Sequence, residues 1–189
     1  MRKNQTETAV LGALSVEPMT GYALRVTIRD VLGHFWSESF GQIYPALAEL
    51  ERQGRVKRRG SSRPGSSTFA LTGSGRARLK ELLAQPVHAS PPRNGLMLRL
   101  FFGRQLGAEA CRSLVLEARH DAARRLKKYE AIREELELDD DHAKDRPFWL
   151  LTVSAGEHTA RAAITWADET IAALDEIGPS IDAPKQRRR

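Results

Sequence analysis

SESFGQIYPALAELERQGRVKRRGSSRPGSSTFALT, residues 37–72, decides the architecture of this chain. Its first part carries Ile43, Leu47 and Leu50 at spacings of 4 and 3, the period of one helix face. Ser37 or Ser39 offers a side-chain oxygen to start such a helix, and Gly54 offers the left-handed stop that ends it. Pro45 is tolerated only in a first turn, where its missing N–H has no intrahelical partner, and this places the helix start close to Gln42. Two extended-type runs follow, RVKRR (55–59) and STFALT (67–72), separated by the turn formers GSSRPGS. The pattern predicts a β-hairpin with a basic, exposed tip.

Upstream, MRKNQTETAVLGALSVEP (1–18) joins two basic residues to a brief apolar patch broken by Gly12. It reads as a retained amphipathic helix over about 6–15, capped by Thr6 or Thr8 with Val10, Leu11 and Leu14 on one side, and not as a secretory leader. EPMTG is a turn. Thr20 then caps a second helix through Leu32, which buries Tyr22 or Leu24, Ile28, and Val31 or Leu32, and stops at Gly33. Downstream, Thr72 caps a fourth helix over about 73–84, with Ala77, Leu79, Leu82 and Leu83. AQPVHASPPRN (84–94) has three prolines and no helical period, so it divides the chain into residues 1–86 and 87–189. The second part reads as helices over about 93–103, 108–137 and 146–177, with the acidic break LDDDHAKDRP between the last two and Pro147 in a first turn.

Charge separates the same two parts. Residues 1–86 hold 13 Lys/Arg against 7 Asp/Glu, whereas residues 87–189 hold 17 of each. The whole +6 therefore belongs to the first part, and a localised basic surface points to a polyanionic partner. Within 52–63 lie Arg52, Arg55, Lys57, Arg58, Arg59 and Arg63 with no acid among them. For Arg52 and Arg55, packing or a local salt bridge is an equal alternative to phosphate contact. Three short helices followed by a basic hairpin outline a winged helix-turn-helix. Such a helix fits the major groove, its N-terminal residues reach base edges, and the hairpin lies along the backbone or minor groove.

GHFWSESFGQIYPALAELERQGRV (33–56), with PMTGYAL (18–24) before it and PRNGLMLRLFF (92–102) after the linker, resembles the PadR family of transcriptional regulators in its longer members with a helical C-terminal domain. The resemblance covers nearly the whole chain. It implies DNA contact by Ser39, Gln42, Tyr44 and Pro45 on the third helix and by Tyr22 on the second. Gln42 is able to bond an adenine edge and the tyrosines to reach a phosphate. Core packing with a satisfied hydroxyl is the alternative for Tyr22 and Tyr44. Lys57, Arg59 and Arg63 on the wing rest on charge and position.

The last helix carries two apolar stripes. One holds Leu150, Val153, Ala160, Ile164, Ala167, Ile171 and Leu174; the other holds Phe148, Leu151, Ala155, Ala162, Trp166 and Ala173. Two faces need two partners, the chain itself and a second copy. Helix 108–137 offers Leu114, Ala118, Ala122, Leu126, Tyr129, Ile132 and Leu136 to such an interface, and a private three-helix core is the alternative. A homodimer also suits a reader of two half-sites about 34 Å apart, and the resemblance implies one. Candidate contacts for a small aromatic effector are Arg93, Phe148, Trp149, His158 and Trp166, each with core packing as its alternative.

Enzyme readings fail on the residues. GSSRPGSS (60–67) has Ser66 where a phosphate-binding loop needs lysine, and a strand-like run follows it. GSG (73–75) lacks the third glycine of a dinucleotide fingerprint. The histidines at 34, 88, 120, 142 and 158 lack metal-ligand spacing, and Asp139–Asp141 lacks the other ligands of a calcium loop. Cys111, the lone cysteine, reads as a small core residue in a reducing compartment. No apolar run is long enough to span a bilayer. The RRR terminus reads as a disordered tail.

The expectation is a mainly α, cytoplasmic, homodimeric DNA-binding regulator of repressor type. Residues 1–86 form its winged helix-turn-helix and 87–189 a helical dimerisation and effector domain. It has no cofactor, no metal and no membrane partner, and it is released from double-stranded DNA by a small effector. The other readings are a constitutive architectural DNA binder without effector, or an interaction adaptor that keeps the fold.

Overall fold

The structure, a computed structural model, describes residues 2–30, 32, 33, 36, 40–60, 67–87 and 94–182, without the side chains of 2, 3, 40 and 178–182. Ser39, Arg63 and Arg93, the hairpin tip, most of the proline linker and the C-terminal RRR lie outside the described residues. The chain divides into two compact units, residues 1–89 and 90–189.

In the first unit, α1 (Arg2–Val16) packs against α2 (Gly21–Asp30), α3 (Phe40–Arg52), α4 (Gly73–Leu83) and strand β3 (Thr68–Leu71). Val10, Leu11 and Leu14 are buried as expected, and Thr6, Ala9 and Ala13 are buried with them. A helix surrounded by partners is apolar on more than one side. The expected caps are corrected: Thr6 and Thr8 lie inside α1, where Thr8 Oγ1 donates to the Asn4 carbonyl at 2.8 Å.

The segment read as a plain turn holds a two-residue strand, β1 (Met19–Thr20), which pairs antiparallel with β3. With β2 (Val56–Arg59) it forms a three-stranded sheet of order β1-β3-β2. Two residues are too few for any periodic signal, so only the arrival of β3 creates β1. Thr20 closes that strand and starts α2, its Oγ1 accepting from the Ala23 N–H at 3.1 Å. Leu24 and Ile28 form the buried edge of α2, and Tyr22 is 67% exposed.

Ile43, Leu47 and Leu50 lock α3 into the core, and Gly54 ends it with φ 67°. The start expected near Gln42 is corrected: α3 begins by Phe40, so Pro45 lies beyond the first turn and removes one helical N–H. The carbonyl that loses its helical partner is that of Gly41, an exposed residue, where the loss is cheapest.

Thr72 caps α4 as predicted, accepting from the Gly75 N–H at 3.1 Å. Its N–H donates to the Arg55 carbonyl at 3.1 Å, and its hydroxyl proton is shared between the Gly54 and Arg55 carbonyls at 2.8 and 2.9 Å. Gly75 is forced by this junction, because a Cβ there would lie 2.0 Å from the same carbonyl oxygen. Leu79 and Leu82 are buried; Ala77 and Leu83 are exposed.

In the second unit, Asn94 caps α5 (Gly95–Phe101) by accepting from Leu96 and Met97 N–H groups. A 3₁₀ turn follows at Gly103–Gln105. Then α6 (Ala108–Glu137) and α7 (Arg146–Asp182) pair as an antiparallel hairpin, since the ion pairs Arg112–Asp175, Arg119–Asp168 and Arg133–Glu157 descend α7 as they ascend α6. The buried seam repeats at seven residues, Val115, Ala122 and Tyr129 on α6 and Val153, Ala160 and Ala167 on α7. A repeat of seven is the signature of helices wound about each other. Of the α6 stripe expected from sequence, Ala122 and Tyr129 are buried in this seam, which Cys111 and Val115 complete, and Leu114, Ala118, Leu126, Ile132 and Leu136 are half-buried in the single chain. Gly156 permits the closest approach, because a Cβ there would lie 2.4 Å from the Tyr129 ring. The second α7 stripe stays uncovered in the single chain, with Phe148 69% and Leu151 68% exposed.

Glu157 is the buried charge of this hairpin. Arg133 donates to both its oxygens, at 2.8 and 3.1 Å, and Arg161 adds a contact at 3.4 Å. The bonds from Arg133 hold the Glu157 carboxyl below its ordinary value.

Two outcomes are expected. Gly75→Ala lowers the urea midpoint of the first unit, a loss of roughly 3 kcal/mol from the clash with the Arg55 carbonyl. For Glu157, a depressed carboxyl contributes stability above its unfolded value that is lost as pH falls through the folded one. Wild type is therefore more stable than Glu157→Gln at neutral pH, and the difference shrinks as pH drops through and below the carboxylate range, measured by urea unfolding at each pH.

Candidate nucleic-acid interface

The side of α3 opposite its buried edge is exposed along Gly41, Gln42, Tyr44, Pro45, Ala48 and Arg52. Because Ile43, Leu47 and Leu50 are nearly inaccessible, this outer side has a defined direction. Gln42 falls in the first turn, exposed, and its side chain makes no hydrogen bond to another described residue. Tyr44 is 48% exposed, and its Cε1 lies 3.0 Å from where a Cβ of Gly21 would stand. That contact brings Tyr44 to the start of α2, beside exposed Tyr22. Core packing, the alternative for both tyrosines, is thereby corrected: Leu24 and Ile43 occupy the core positions instead.

On β2, Val56 faces the core, and Lys57 and Arg59 take the opposite side by strand alternation. Among the described residues neither makes an ion pair. The other three described cations of the run, Arg52, Arg55 and Arg58, are paired with acids. Arg52 forms a fork with Glu49 at 2.8 and 2.6 Å. Arg58 forms another with Glu51 at 3.0 and 3.0 Å while its guanidinium lies 5.1 Å from the Phe69 ring centre. These hydrogen bonds hold the Glu51 carboxyl below its ordinary value. Arg55 pairs with Glu7 on α1, which also accepts from Arg78 Nε on α4 at 3.1 Å. The acids that answer the described cations come from α1 and α3, so for Arg52 and Arg55 the salt-bridge alternative is the one observed. Glu49 and Arg52 stand at a visible helical spacing of three, but Glu51–Arg58 and Glu7–Arg55 exist only once the chain has folded.

The described effector candidates are spread along α7 and do not converge within one chain. Phe148 and Trp149 open α7, with the Trp149 ring centre 5.2 Å from that of His142 and the two rings tilted by 44°. Trp166 lies 18 residues on, about 27 Å along the helix at its usual rise. His158, exposed between them, is not the packed structural histidine that its sequence position allowed. Among the described residues no group of His, Cys, Asp and Glu is placed to hold a metal, and no helix is long and apolar enough to cross a membrane.

A winged helix with an exposed third helix and a cationic second strand defines a class of nucleic-acid readers. Two family models match in order: the transcriptional regulator PadR-like family over residues 10–81, and the virulence activator alpha C-terminal domain over 92–175. The chain belongs to the PadR-like family of transcriptional regulators, in the form that carries this C-terminal domain. It is 27% identical over 183 residues to a protein of Mycobacterium tuberculosis described as a probable transcriptional regulator, Rv1176c, covering 89% of this chain and 96% of that one. It is 24% identical over 177 residues to the negative transcriptional regulator PadR of Bacillus subtilis, again covering 89% and 96%. Crystal structures of Bacillus subtilis PadR with operator DNA and with p-coumaric acid share its fold, with TM-scores of 0.76 and 0.74 at 22% identity over 89% of this chain and 98% of theirs. The matched family and these relatives are transcriptional regulators, not enzymes.

Glu7→Gln is expected to destabilise the first unit by about 1–2 kcal/mol, because it leaves Arg55 and Arg78 short of a half-buried partner. Urea unfolding of Glu7→Gln, Arg78→Met and the double variant checks this, and the two effects are expected to be less than additive.

Proposed function

We propose that this protein is a homodimeric repressor of the cytoplasm that reads operator DNA with residues 1–86 and dimerises through residues 87–189. In each copy α3 enters a major groove. Gln42 reads a base edge, Ser39 and Pro45 fit the groove wall, and Tyr22 and Tyr44 reach phosphates. Lys57, Arg59 and Arg63 brace the backbone from the wing. The observation that carries this reading is the outer side of α3: a helix locked by Ile43, Leu47 and Leu50 presents Gln42, Tyr44 and Pro45 to solvent beside Tyr22.

Dimerisation is supported by the uncovered apolar stripe of α7, where Phe148 and Leu151 lie exposed on a helix whose other face already packs on α6. Repression is supported by the naming of a relative as a negative regulator, and effector release by the p-coumaric acid complex of Bacillus subtilis PadR. Such an effector acts by favouring a dimer whose half-site spacing no longer fits DNA. Arg93, Phe148, Trp149, His158 and Trp166 are the candidate contacts for a small aromatic acid.

Titration of purified protein against its own upstream region and against random DNA tests the reading. Gln42→Ala is expected to weaken the cognate fragment by about 1–3 kcal/mol and random DNA hardly at all. Lys57→Ala is expected to weaken both and to reduce the salt slope by about 1. A cognate fragment bound equally by Gln42→Ala and wild type removes the base-reading role.

A further inference from the structure

We infer that the second unit holds a binding site for a small amphipathic carboxylic acid between α5 with its 3₁₀ turn and the far end of α7, apart from every effector contact named above. A cavity of about 340 Å³ lies there. Its walls are carbon and sulfur: Leu100 from α5, Ala108 and Cys111 from the first turn of α6, Leu174 and Ile177 from α7. Two residues with polar side chains are among its lining, Arg104 and Thr170.

The volume sets the size of the occupant. An apolar cavity of roughly 150 Å³ accepts benzene, so about twice that volume takes a body of roughly ten heavy atoms. The lining sets its chemistry. The Cys111 thiol is directed at the Gly103 carbonyl, 3.7 Å away, and leaves the cavity an apolar sulfur surface. Thr170 has already given its proton to the Trp166 carbonyl at 2.7 Å, so it offers the cavity only an acceptor. Arg104 is different. It is exposed, no acid lines the cavity, and among the described residues Arg104 makes no ion pair. Asp175, the nearby acid on α7, is engaged by Arg112 at 2.9 Å. An apolar chamber whose border carries one cation without a counter-charge, and a hydroxyl unable to donate, selects an acyl or aryl body ending in a carboxylate over an amine.

The site also bears on control of the protein. The occupant touches α5, the element that directly follows the linker, together with both long helices. A ligand bound there biases the packing of α5 on α6 and α7, which is the differential contact a regulatory ligand needs. Only this last step rests on the DNA-binding reading; occupancy itself does not.

Titration calorimetry of the full chain without DNA tests the site, with octanoate and 1-octanol as probes. Wild type is expected to bind one octanoate per chain. Arg104→Gln is expected to weaken octanoate about tenfold while leaving 1-octanol unchanged. Ala108→Phe fills the cavity and is expected to abolish both, with circular dichroism reporting that the helices persist; if that variant does not fold, the Arg104→Gln comparison decides alone. Absence of binding by either probe, or octanoate binding indifferent to Arg104→Gln, overturns the site. Release of the cognate DNA fragment by octanoate then tests control separately. Its absence in a protein that binds octanoate rejects the regulatory step, and a protein that binds octanoate but no DNA rejects the DNA reading instead.

Discussion

The contact that everything else in the first unit depends on is the seating of α3 against α1. Ile43, Leu47 and Leu50 enter the same core as Val10, Leu11 and Leu14, and each is buried almost completely. Burying one such side chain is worth about 1.5–3 kcal/mol, so rotating α3 to expose its inner edge would forfeit several times that. The outer residues take their direction from this constraint. A glutamine on a freely rotating helix reads nothing; Gln42 has a fixed outward station because its neighbour Ile43 has nowhere else to go.

Charge follows the same logic. A count along residues 52–63 finds six cations and no acid, yet Arg52, Arg55 and Arg58 are answered by Glu49, Glu7 and Glu51. What remains on the described part of the wing is Lys57 and Arg59, on the strand face turned away from the core. The pairs have structural work. Glu7 ties the segment before β2 to α1 and α4, beside the junction where Thr72 and Gly75 close on the Arg55 carbonyl. The wing is thus anchored at its root, and the cations available to a polyanion are fewer than the sequence count.

The second unit is governed by the spacing of seven along α6 and α7. Small residues, Ala122, Ala160 and Ala167, let the helices approach, and Gly156 admits the Tyr129 ring against its backbone. Burying Glu157 within this seam is tolerable because Arg133 grips both its oxygens. Once this face is used, the stripe through Phe148 and Leu151 is left without a partner in the single chain, the feature from which a second copy is inferred.

By itself the sequence determined the helices and the inner edges of α1 and α3, because apolar spacing, capping oxygens and glycine stops are local. Thr20, Thr72 and Gly54 act where their chemistry predicted, α6 spans 108–137 as read, and the three matching segments identified the PadR-like family. Only the tertiary structure decided which of two plausible faces is covered. It put Leu24 inside and Tyr22 outside, created β1 from two residues by offering β3 as a partner, set Pro45 beyond the first turn of α3, and found acids on α1 and α3 for the basic run. These outcomes depend on what arrives from distant parts of the chain, and a local pattern holds no record of its future neighbours.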